Sequence, residues 1–71
     1  MPAKEFEISK TFGVISEGDF QKEVNLISWN GRKEKIDIRG WNDTHTKCGK
    51  GIVLTSDEAK TLREILNGME L

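Results

Sequence analysis

Between Ser28 and Trp41 the chain reads "SWNGRKEKIDIRGW", which places two tryptophans, Trp29 and Trp41, among the cations Arg32, Lys33, Lys35 and Arg39. Two more lysines, Lys47 and Lys50, follow in the next polar stretch. Flat rings interleaved with cations are what unpaired nucleic acid requires: each ring stacks on a base for about 1–3 kcal/mol, and the cations follow the phosphates. Every base has a π-face, so such a surface reads little sequence. The charge distribution points the same way. The net charge is −1, yet Ser28–Gly51 carries six basic residues against three acids (Glu34, Asp37, Asp43), while the remainder is acidic. The middle of the chain is an anion-binding candidate on an acidic scaffold.

Other chemistry has thin material. His45 and Cys48 are the only residues of their kinds and lie three apart. They fall short of the four ligands of a structural zinc site unless a symmetric dimer pools two of each. No Gly-rich loop leaves a strand to open a helix, since "GKGI" runs from loop into strand. The carboxylates show no apolar setting that would raise a pKa. No catalytic residue, metal, cofactor or small-molecule substrate is therefore expected, and the chain is not read as an enzyme.

The elements that must position these residues follow from alternation. In "EFEISKTFGVIS", Phe6, Ile8, Phe12 and Val14 fall on even positions, which reads as a long strand with one buried face. Gly18 and Asp19 supply turn chemistry before "EVNLISW", where Val24 and Leu26 are again even. "KEKIDIRGW" sets Ile36 and Ile38 on the even face and Lys33, Lys35, Asp37, Arg39 and Trp41 on the odd one. A two-residue Asn30-Gly31 turn would mix apolar and charged residues on both faces. An odd-length loop, Trp29-Asn30-Gly31, or an equivalent bulge pairs even with even and is preferred. "NDTHTKCGK" reads as a polar loop and "GIVLT" as a short fourth strand with Ile52 and Leu54 inward. Thr55 and Glu58 have capping-box spacing ahead of a helical stripe of Ala59, Leu62, Ile65, Leu66 and Met69, and Gly68 can close the helix.

The expected fold is α+β, β-β-β-β-α: an antiparallel sheet followed by one C-terminal helix, in a single domain spanning 1–71. A chain this small buries only about 60% of its unfolded surface, and one cysteine allows no internal disulfide, so self-association is expected. No segment approaches the roughly 20 apolar residues of a membrane span and no secretory signal is evident, so a cytoplasmic location is expected. Tryptophans in small proteins also serve as core or interface. Here the even face already supplies a core, which assigns Trp29 and Trp41 to the exposed odd face with the cations. Ile27, apolar on that face, reads as a stacking neighbour or a dimer contact.

The order Trp29-Asn30-Gly31, then "KIDIRGW" (Lys35 to Trp41), then "KCGKGIVLT" (Lys47 to Thr55), then a helix, resembles the C-terminal domain of the eukaryotic transcriptional coactivator positive cofactor four. It is more similar still to the short bacterial YdbC-type proteins of that fold. The similarity covers about Lys22 to Leu66. It implies a curved four-stranded antiparallel sheet and a helix, dimerised to present grooves for single-stranded DNA. By position, Trp29 matches the stacking aromatic near the hairpin tip and Arg39 the arginine after Ile-Asp-Ile. Trp41 falls in the aromatic pair that follows, and Lys47 and Lys50 match the phosphate-contacting basic residues. Cys48 stands where the family has proline, and only one aromatic follows Arg39. The expected partner is single-stranded DNA, bound by a homodimer through Trp29, Arg32, Lys33, Lys35, Arg39, Trp41, Lys47 and Lys50. The alternatives are single-stranded RNA and a protein-interaction module anchored by the tryptophans.

Overall fold

The period-two segments form strands and the period-3.6 segment forms a helix, in the order β1 Phe6–Ser16, β2 Gln21–Trp29, β3 Lys35–Trp41, β4 Cys48–Leu54 and α1 Ser56–Asn67. These elements come from a computed structural model that describes residues 5–71. All strand pairs are antiparallel, the strands lie in sequence order, and they form one open curved sheet. The fourth strand begins at Cys48, not at Gly51, so part of the segment read as loop is already paired. In α1 the capping box is complete: Thr55 Oγ1 accepts from the Glu58 amide at 3.1 Å and Glu58 Oε1 from the Thr55 amide at 2.8 Å. Gly68 caps the other end, its amide donating to the Glu64 carbonyl. Among the described elements the helix touches β3 and β4 only. Ala59 and Leu62 are half-buried, while Ile65, Leu66 and Met69 of the expected stripe are exposed.

The β2–β3 connection satisfies local and global preferences together. Asn30 and Gly31 both have positive φ (54° and 75°), and the Arg32 amide donates to the Trp29 carbonyl at 3.0 Å, so the Asn-Gly turn is present. Residues 32–34 then run outside regular pairing before β3 starts. The resulting register sets Val24 opposite Ile38 and Leu26 opposite Ile36, which keeps even with even as alternation required. Across to β4, Ile38 faces Ile52 and Ile36 faces Leu54.

Two expectations are corrected. First, β1 does not keep one face: its pairing with β2 shifts at three places, and each extra residue reverses which side the following side chains take. Phe6 lies opposite Trp29 and Ile8 opposite Ile27, on the odd face, whereas Lys10 lies opposite Leu26. Phe12 and Val14 are exposed. Second, the buried face is the odd one. Its fully or nearly fully buried residues are Glu23, Asn25, Ile27, Asp37 and Trp41, while Val24, Leu26, Ile36 and Ile38 are half-buried. Rings and polar side chains that bond to one another close the odd face. The even row has only aliphatic side chains and one lightly packed helix to cover it.

At Gly51, β4 lies close against β3. A Cβ there would lie 2.3 Å from both Arg39 Cβ and the Ile38 carbonyl oxygen, neither of which can move without moving β3. Gly51→Ala is expected to lower stability by about 1–3 kcal/mol, read as a reduced urea midpoint with an unchanged slope. A change within about 0.5 kcal/mol, as for an ordinary surface site, would contradict this close approach.

Candidate nucleic-acid interface

On the odd face Trp29, Trp41 and Phe6 gather from β2, β3 and the start of β1. The two indoles are nearly parallel (12°) with centroids 6.3 Å apart, and the Phe6 ring lies 5.4 Å from Trp29 and 5.0 Å from Trp41. His45, in the β3–β4 loop, adds a fourth ring 5.3 Å from Trp41. Two hydrogen bonds fix the entry of β1 to the hairpin tip: the Asn30 amide to the Glu5 carbonyl at 2.7 Å, and the Glu5 amide to Asn30 Oδ1 at 3.2 Å.

The tryptophans differ in access. Trp41 is 1% exposed, which corrects the expectation that it projects to solvent; Ile27, its neighbour in the buried set, is core. Trp29 is half-buried and lines an open groove of about 520 Å³ with Asn30, Arg32, Lys33, Lys35, Arg39, Ile27 and Val53. Five of the eight candidate binding residues are thus brought to one concavity. Lys47, just before β4, and Lys50, within it, are exposed and do not line the groove.

Beneath the groove, Asp37 is fully buried and accepts from Arg39 Nε at 2.7 Å and from Trp29 Nε1 at 3.0 Å. Arg39 Cζ lies 4.8 Å from the Trp29 ring centroid, in cation–π range. Burial works against the guanidinium charge, but the hydrogen bond and charge of Asp37, with a smaller contribution from Cys48, together outweigh it and raise the Arg39 pKa above its ordinary value. The ion pair among the described residues is Arg39–Asp37, and the His45 imidazole hydrogen-bonds to Glu23. Arg32, Lys33 and Lys35 therefore carry uncompensated charge there. No three described His, Cys, Asp or Glu residues cluster in a way that could hold a metal ion, and His45 Nε2 is engaged by Glu23 at 3.0 Å.

Several site residues were not legible beforehand. Phe6 joins only because β1 changes parity. Glu23, Asn25 and Asp37 look like solvent-side residues by alternation. Their signal is complementary spacing: Glu23 accepts from Gln21 at 3.2 Å and Asn25 at 3.0 Å, as Asp37 does from Arg39, each partner two positions along the same strand.

Burial alone would raise the Glu23 carboxyl, but hydrogen bonds from His45, Asn25 and Gln21 outweigh it and hold its pKa below the ordinary 4.5. A carboxyl depressed in the folded state stabilises the fold above its unfolded pKa, and that contribution disappears as pH falls through the folded value. Urea midpoints followed from neutral pH down to about pH 3 should therefore decline below pH 4.5. Glu23→Gln should flatten that decline, and an unaltered acid limb in the variant would count against Glu23 as its source.

Comparison with known proteins agrees with this architecture. Residues 17–65 match the family model described as Transcriptional Coactivator p15 (PC4). An uncharacterized protein of Treponema pallidum (strain Nichols) is 43% identical over 68 residues, covering 93% of this chain and 80% of that protein. The family match spans β2, β3, β4 and most of α1, the elements that carry the groove and its buried carboxylate. On this match, the chain belongs to the PC4 transcriptional coactivator family, a family of nucleic-acid-binding domains.

Proposed function

We propose that the chain binds single-stranded DNA with little sequence preference, stacking a base on Trp29 and meeting phosphates with Arg32, Lys33 and Lys35. The groove that joins one accessible indole to three uncompensated cations carries this reading. Lys47 and Lys50 extend the path of positive charge beyond the groove. Trp41, shielded by its neighbours, supports the ring cluster rather than offering a stacking face. A duplex keeps its bases stacked and paired, so it offers Trp29 no face. A protein of this kind serves where strands are separated, in transcription, replication or repair.

The functional unit in this reading is a homodimer. The even-face rows Leu54–Ile36–Leu26 and Ile52–Ile38–Val24 run across three strands and are only half-covered. Ile52, Ile65, Leu66 and Met69 are each 44–55% exposed, a concentration of apolar surface that a second copy would remove from water.

Titration with a single-stranded DNA oligonucleotide should quench tryptophan emission, with affinity falling steeply as salt rises. The duplex should bind far more weakly, and an RNA of the same sequence separates DNA from RNA preference. Trp29→Ala should weaken binding by about 1–3 kcal/mol with the fold intact. Unchanged emission, or equal affinity for duplex, would sink the proposal. Sedimentation equilibrium should return twice the chain mass of 8.1 kDa, and a monomer at micromolar concentration would refute the dimer.

A further inference from the structure

Trp29 is held from two sides by one carboxylate. Its indole N–H donates to Asp37 Oδ2 at 3.0 Å, while Arg39 donates from Nε to Oδ1 of the same group at 2.7 Å. The guanidinium carbon of Arg39 lies 4.8 Å from the indole centroid. Asp37 is fully buried, so neither bond competes with bulk water, and each oxygen is committed to a different arm. The indole cannot turn without breaking the N–H bond or sliding off the guanidinium. Arg39 packs against the ring and lines the groove beside it.

We propose that Asp37 is the positioning residue of this site: it orients Trp29 directly through the indole N–H and indirectly through Arg39, so that the ring's orientation in the groove is set before a base arrives. Arg39 accordingly acts through the ring rather than through a phosphate, because its charge is compensated by Asp37, unlike that of Arg32, Lys33 and Lys35. Fixing the ring before binding removes part of the ordering cost that a mobile side chain would carry. The proposal rests on Trp29 being the stacking ring, and it explains why an indole stands at a position where a phenyl ring would stack but could not be held.

The test combines Trp29→Phe, which keeps a ring without the N–H, with Asp37→Asn, which offers one acceptor to two donors, and Arg39→Gln. In the free protein, the Trp29 indole proton, assigned by its loss in Trp29→Phe, should exchange slowly with solvent and should exchange faster in Asp37→Asn. Asp37→Asn should weaken single-stranded DNA binding about tenfold with the salt slope unchanged. The double variant Trp29→Phe/Asp37→Asn should be little worse than Asp37→Asn alone. Arg39→Gln should also leave the slope unchanged, whereas Lys35→Ala should reduce it by about one. Independent, multiplying effects, or a slope lowered by about one in Arg39→Gln, would overturn the proposal. If Asp37→Asn does not fold, the Trp29→Phe and Arg39→Gln cycle reads the same coupling. Failure of the wild-type chain to bind single strands would overturn the nucleic-acid reading, whereas fast indole exchange in the free wild-type protein would overturn the clamp by itself.

Discussion

A carboxylate with no exposed surface has to be answered by donors, because removing a charge from water costs several kcal/mol that only close, well-aligned partners return. Asp37 is that group here, and its demand organises the odd face. One oxygen draws in Arg39 from two positions along β3, and the other draws in the Trp29 indole from β2. The guanidinium, pulled back along its own strand, comes to rest on the indole. Gly51 on β4 then leaves room beside Arg39, since any Cβ there would meet the Arg39 side chain and the backbone before it. A single buried charge thus sets a rotamer, a ring orientation and a close strand approach.

Glu23 repeats the solution a short distance away. It gathers Gln21 and Asn25 from its own strand and His45 from the loop after β3, and His45 in turn packs against Trp41. Two acids, each satisfied locally, let a face rich in polar groups become the buried one. Among the described residues, Asn25 Oδ1 and Trp41 Nε1 are the buried side-chain atoms that lack a protein partner.

The two faces therefore divide the work. The odd face is closed by its own bonds and rings and opens only at the groove, where Trp29 meets the unpaired cations. The even face carries ordered aliphatic rows that one short helix cannot cover, as expected where surface is large relative to volume. Small irregularities make this arrangement possible. Residues 32–34 absorb the difference between a two-residue turn and the register that the aliphatic rows need. The shifts in β1 turn Phe6 over to the tryptophans.

Alternation and cap chemistry in the sequence determined the element order, the even-with-even register of β2 and β3, and the start of the helix at the Thr55–Glu58 box, because each is fixed by residues near one another in the chain. The cluster of cations around Trp29 was legible for the same reason. Which face is buried was decided only in three dimensions: hydrophobic periodicity assigns the aliphatic side to the core and has no way to register that Asp37, Arg39 and Trp29 satisfy one another across strands. The side on which Phe6 falls depends on bulges that leave no mark in composition. The burial of Trp41 follows from both, since its cover comes from Phe6 and His45, residues far from it in the chain or across a loop, brought to its ring only by the assembled sheet.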